Sequence, residues 1–384
     1  MLRSITLNNY TTFINKTTFD FKATNYKILE DTNVGYDRIL KGALFVGENA
    51  SGKTETIKAI KLLLDLLFAN NEINVVMKKS MYTKGTTFSL SYSFDIDSND
   101  ITYSFEFDKD NISFEKLCFN NNVLLERMGE NGKTCFNNKE RNVKDINSHL
   151  LLLKQEYYNT RFYNNIILNK WFDYLKNSIY INCYDKNVIS YNQARKSEQL
   201  ILDYAQKNGV KKINSFLNKI GYNSEIVLDD NFISNGYRIS TSEKVIGVKK
   251  KGSNFVLPLA LDSTGNNVLI NVLMPFLFAI NNDCMLLVDE FSSGFHNDLE
   301  EALIKYFFNN SRNSQIFFMS HSTNLLDTYL LRPDQIYSFS FDNKKGTIIK
   351  RFSDENPRES QNLEKMYLSG VFDGKPEYNK ELKN

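Results

Sequence analysis

The sequence predicts an α/β fold: a mostly parallel sheet with flanking helices, its parts separated along the chain by an inserted middle. Three observations predict it. First, an apolar run at residues 43–46 leads through a glycine-rich octet into a helical pattern. Second, the last third alternates short apolar strands with amphipathic helices, as a sheet covered by helices requires. Third, the chain has 384 residues, 42% hydrophobic and 24% charged, enough for a substantial core in one large domain or two. The octet near residue 50 belongs to a sheet whose other strands come after residue 255.

Taken in order, residues 4–7 and 17–21 read as two strands with a turn between, and 23–41 as polar and irregular. After the strand at 43–46 and the octet, Ile57, Ile60, Lys61, Leu64 and Leu67 follow at helical spacing. "TTFSLSYSFDI", "DITYSFEFD", "ISFEKLCFN" and "VLLER" alternate with period two between Asp/Asn/Ser clusters, which predicts an antiparallel meander. From 139 to 222 the pattern turns helical, with Gly209 and Gly221 as helix stops. Trp171 and its aromatic neighbours read as core rather than a platform for stacking bases. Residues 224–257 return to short strands around "NGYRIS". The last third reads as helix 266–279, strand 284–288, helix 298–308, strand 315–319, helix 325–330 and strand 335–341. The expected division is an N-terminal lobe at 1–138, a helical insertion or lid at 139–222 and a C-terminal lobe at 223–384.

Net charge is +2, so overall charge points to neither nucleic acid nor a membrane surface. Short basic clusters such as Lys249-Lys250-Lys251 read as solvated. Cys118, Cys135, Cys183 and Cys284 lie far apart with no C-x-x-C pair, which argues against a zinc site and against a disulfide framework. No apolar run reaches the roughly 18 residues of a membrane span. The first residues alternate like a strand, unlike a signal peptide. The expectation is a cytoplasmic protein.

The octet Gly47-Glu48-Asn49-Ala50-Ser51-Gly52-Lys53-Thr54 fits G-x-x-x-x-G-K-[ST], the phosphate-binding loop. Glycines let successive N–H groups turn inward around an anion, and the following helix adds its positive end. Lys53 is placed for the β- and γ-phosphates of ATP, and the Thr54 hydroxyl for Mg²⁺. "CMLLVDEF" is an apolar strand ending in two acids. Asp289 would help hold the Mg²⁺ shell, and Glu290 would polarise the attacking water as general base. "IFFMSHSTNLLD" ends another apolar strand on His321, one of three histidines, where it could touch a γ-phosphate or the water. Ser263-Thr264-Gly265 precedes a helix. Locally this reads as a capped helix with Asp262 or Ser263 as N-cap, although a hydroxyl, a glycine and free N–H groups also suit an anion.

In order and spacing these elements resemble the ABC-type ATPases of the SMC and RecF class. "LRSITLNNYTTF" resembles their N-terminal strand pair, with Thr11-Thr12 where Arg-Ser is usual. "VGENASGKT" is similar to Walker A, "LLVDEF" to Walker B, and "DSTGNNVL" to the signature motif, with Ser263 and Gly265 at its key positions; His321 matches the switch histidine. "FSSGFH", "SHSTNLLD", "LLRPDQIYSFSFDNKKG" and "YLSGVFDGKP" more narrowly resemble stand-alone ATPases of abortive infection and phage defence, of the AbiL, RloA and PARIS types. After Glu290 the chain has Phe291-Ser292-Ser293 where many relatives carry an acid, and no glutamine is placed as their Q-loop; Gln155 and Gln193 fit poorly. The resemblance implies an ABC-type head with an antiparallel β subdomain and a mainly helical insertion. It implies ATP hydrolysis with Mg²⁺, nucleotide sandwiched in a homodimer, and control of a separate effector, a nuclease or toxin. The alternative it leaves open is a DNA-repair or chromosome-handling ATPase that binds DNA.

Overall fold

The computed structural model describes all residues except 70–72, 160–163, 193–201, 203–204, 207–208, 235–236, 254–255, 260–263, 294–295 and 376–384. Three sheets organise it. The first is antiparallel with eight strands, in the order β2-β1-β4-β5-β6-β7-β8-β9. Its strands are β1 (Leu2–Asn8), β2 (Thr17–Asp20), β4 (Thr87–Ile96), β5 (Asn99–Asp108), β6 (Asn111–Phe119), β7 (Asn122–Met128), β8 (Asn131–Phe136) and β9 (Lys139–Val143). The alternating runs therefore do form a meander, and it runs two strands further than their pattern indicated. Strict alternation in β4 puts Phe88, Leu90, Tyr92, Phe94 and Ile96 on the buried face.

The second sheet has seven strands in the order β11-β10-β15-β16-β3-β17-β18. They are β3 (Gly42–Gly47), β10 (Ile179–Asn182), β11 (Asn187–Ser190), β15 (Met285–Asp289), β16 (Gln315–Met319), β17 (Ile336–Asp342) and β18 (Gly346–Arg351). The five from β10 to β17 are mutually parallel, and both edge strands run antiparallel. Chain order and spatial order diverge as expected: β3, from the beginning of the chain, lies between β16 and β17 from its end. The third sheet joins β12 (Ser224–Ser234), β13 (Tyr237–Lys250) and β14 (Val256–Pro258). Its first two strands are long, where short ones were expected.

Why the middles of β3, β15 and β16 are apolar follows from what covers them. Ala43 and Phe45 enter one core and Leu44 and Val46 the other; Leu287 and Val288, and Phe317 and Phe318, divide in the same way. The first core lies between this sheet and the meander, and helix Lys53–Phe68 threads it with Ile57, Ile60, Leu63, Leu64 and Leu67. Tyr92 of the meander donates to the Ala59 carbonyl of that helix at 2.7 Å. Trp171 is fully buried there, against Phe94 and Phe172. The second core takes Leu273 and Phe276 of helix Thr264–Asn281 and Leu303 and Phe307 of helix Asn297–Asn310.

Two further features differ from expectation. The 139–222 segment supplies helices Leu152–Tyr158, Ile166–Lys176 and Lys211–Lys219, but it also supplies β10 and β11 to the central sheet. The helix expected at 325–330 is absent: a 3-10 turn, Thr323–Leu325, is followed by a turn in which Leu330 and Leu331 N–H groups both bond the Asp327 carbonyl. Leu325, Leu326, Leu330 and Leu331 are apolar because each is buried in the second core. No helix among the described residues is long and apolar enough to cross a membrane.

Candidate nucleotide site

Parallel strands bring their carboxyl ends to one edge of a sheet, and loops leaving that edge share a cleft. Here β3 delivers the octet, β15 delivers Asp289 and Glu290, and β16, which lies between them, delivers His321. Residues 49–54, Asp289, Glu290 and His321 all line one cleft of about 880 Å³. Gly47 and Glu48 lie behind it: their carbonyls accept hydrogen bonds from the Lys53 ammonium at 2.9 and 2.6 Å, and the Glu48 carboxylate accepts from Phe341 N–H at 3.1 Å.

The loop's glycines are required by its surroundings. A Cβ on Gly47 (φ 143°) would lie 2.3 Å from the Phe339 carbonyl oxygen. One on Gly52 (φ 108°) would lie 2.5 Å from Thr347 Oγ1 and 2.8 Å from Thr12 Oγ1. Ala50 is held left-handed at φ 60°. Burial pulls the Lys53 ammonium down to about 8, against the opposing pull of Glu290, Glu48 and Asp289.

Thr54 Oγ1 donates to Asp289 Oδ1 at 3.2 Å, and the Tyr180 hydroxyl donates to Asp289 Oδ2 at 3.3 Å. Burial, helped by Glu290 next door, raises the Asp289 carboxyl to about 6. A hydroxyl and a carboxylate at this separation are oxygen ligands suited to a hard divalent cation, and the glycine-walled loop suits a polyphosphate, so the residues fit Mg²⁺ and ATP. Glu290 adopts a left-handed backbone, φ 54°, which turns its side chain out of β15 register. Its carboxylate lies 4.0 Å from His321 Nε2. Burial, then the nearby Lys53 charge, lowers the His321 pKa, and Glu290 opposes both.

Ser263 lies outside the described residues, and Gly265 falls in the first turn of helix Thr264–Asn281. Gln193 lies outside them as well, and Gln155 falls within helix Leu152–Tyr158. Asn182, Tyr184 and Asp185, which sequence reasoning passed over, line the cleft from the end of β10. Their signal was the short run "SIYINCYD", too brief beside a helix to read as a sheet strand.

A phosphate-loop strand inside a parallel sheet, with Asp-Glu and His at neighbouring strand ends, has the architecture of an SMC-type head fold. The chain belongs to the family described as "AAA domain, putative AbiEii toxin, Type IV TA system", which matches residues 43–327. Among solved structures it is similar to an SMC head bound to the C-terminal winged-helix domain of ScpA, at 13% identity and TM-score 0.53, covering 92% of this chain and 99% of that one. It is also similar to the Pyrococcus furiosus SMC head with an extended coiled coil bound to the C-terminal domain of ScpA, at 11% identity and TM-score 0.52, covering 92% and 97%. At these identities the likeness establishes the fold. No curated protein matches the chain.

Proposed function

We propose that the chain binds and hydrolyses Mg-ATP in this cleft, that a second copy completes the enclosure, and that it controls a separate effector in bacterial defence against phage. The observation that carries the reading is the convergence of Lys53, Thr54, Asp289, Glu290 and His321 on one cleft from three adjacent strand ends. Lys53 and the loop N–H groups bind the β- and γ-phosphates, and Thr54 and Asp289 hold the cation. Magnesium, when bound, neutralises charge developing on the phosphates. Glu290 takes a proton from the attacking water, and His321 steadies the γ-phosphate side.

The paired copy follows from the resemblance to heads that sandwich nucleotide between an octet and a signature helix: this chain has one of each. Ser263 and Gly265 are assigned to that signature end. The effector reading draws on the toxin named in the family description, and on the similar SMC heads that are bound to ScpA domains. The test is turnover and sedimentation with Mg-ATP. Glu290→Gln is expected to keep nucleotide binding, lose turnover about 100-fold or more and accumulate a dimer. Unchanged turnover removes Glu290 from its role, and a monomer hydrolysing at full rate overturns the paired-copy reading. Steeply salt-dependent stimulation by DNA would favour a DNA-handling ATPase instead.

A further inference from the structure

Behind the cleft, the loop bearing His321 is clamped by the Glu300 carboxylate. Glu300 lies near the start of helix Asn297–Asn310 and is fully buried. Its Oε2 accepts from the Ser320 hydroxyl at 2.9 Å and its Oε1 from the Ser322 hydroxyl at 3.0 Å. Ser322 N–H then donates to Ser320 Oγ at 3.0 Å, closing a ring of contacts around the single residue between them. Ser322 Oγ also lies 3.3 Å from Asn297 Oδ1 on the same helix.

No ion pair engages Glu300 among the described residues, and burial raises its pKa against the pull of the two hydroxyls. A carboxylate buried without a cation is costly, so a hydrophobic side chain would suit the fold better unless the bonds it makes matter. What those bonds fix is local and specific: both neighbours of His321. The same loop is tied forward to the Glu290 segment, since His321 N–H donates to Ser292 Oγ at 3.3 Å and Phe291 N–H to the Met319 carbonyl at 3.0 Å. His321 itself is 43% exposed, so packing does not hold its ring.

We propose that Glu300 is a positioning residue that sets His321 against Glu290 and the γ-phosphate, making the helix after Glu290 and the loop after β16 move as one piece. This rests on the reading of His321 given above. The test compares Glu300→Leu, which fills the space and removes both bonds, with Ser320→Ala, which removes one, each alone and combined with His321→Ala. Glu300→Leu is expected to lower kcat about 10- to 100-fold with little change in KM for Mg-ATP. Added to His321→Ala it should lower kcat no further. Undiminished kcat, or an equal loss in the His321→Ala background, overturns the proposal. A readout that needs no turnover is the His321 imidazole titration by NMR, assigned by its disappearance in His321→Ala. Loosening the clamp should let its pKa rise toward the ordinary value as the ring gains water and leaves Lys53, and an unmoved titration in both variants overturns the proposal. If Glu300→Leu does not fold, Ser320→Ala carries both readouts. Wild-type protein without ATPase activity would count against the proposed function, and the NMR arm would still decide this one.

Discussion

Thr347, nearly 300 positions from the octet in sequence, donates to the Ser51 carbonyl at 2.8 Å and meets the Thr12 hydroxyl at 2.7 Å. In a trans peptide the C=O and the following N–H point opposite ways. Pinning the Ser51 carbonyl against the β18 hairpin therefore turns the Gly52 N–H away from that hairpin, as the proposed phosphate site requires. Thr347→Val keeps the shape and removes the donor. The expected result is Mg-ATP affinity weakened by about 1 kcal/mol, roughly fivefold, in a fluorescent-nucleotide titration. Glu300 makes a second residue-scale prediction. Its folded pKa is raised, so the stability it contributes is fully present below the unfolded-state value and is lost as pH rises through the folded one. Glu300→Gln should therefore raise the melting temperature at about pH 8, with the gain shrinking on acidification. Thermal scans across pH check this, and a gain that grew toward acid would refute it.

At the scale of elements, the meander is locked to helix Leu152–Tyr158 by a buried network. Glu115 accepts from the Tyr103 hydroxyl and from the Leu152 and Leu153 N–H groups, at 2.7 to 2.8 Å. Arg127, 3.8 Å from Glu115, donates to the carbonyls of Gly129, Asn147 and Leu150. Arg127→Met leaves those acceptors and a buried charge behind, so it should cost about 3 kcal/mol or more, read as a lower urea midpoint. Elements were legible where one cause shaped the pattern. β4 alternates because one face is buried, and residues 316–319 of β16 are all apolar because both faces are. The octet, Asp289-Glu290 and His321 were legible because strand, polar end and loop are contiguous in sequence. What was not legible depended on distant chain. β10 is four residues long and becomes a strand by pairing with β15. Leu326 and Leu330 mimic a helix because the second core needs apolar groups there. Nothing local could reveal that Thr347, Tyr180 and Glu300 back the site.

For the whole molecule, the strands shared by the two cores decide how it melts. Phe45 and Val46 face opposite cores from one strand, so neither core can open without stripping β3. Urea unfolding should follow one transition, coincident by the fluorescence of Trp171, the only tryptophan and a reporter of the first core, and by far-ultraviolet circular dichroism. Two separated transitions would show that the lobes melt independently. Pairing of copies belongs to this scale too: the dimer expected of Glu290→Gln with Mg-ATP should dissociate on dilution and on removal of nucleotide.

β3 has a further consequence, for how the protein is made. Both of its partners, β16 and β17, are encoded more than 260 residues downstream. A ribosome that has finished the meander still holds an orphan strand and a shapeless octet, because the walls that bend it have yet to be translated. Capacity to grip nucleotide must therefore switch on late in synthesis, and a prematurely terminated fragment ending before residue 315 would be inert toward it.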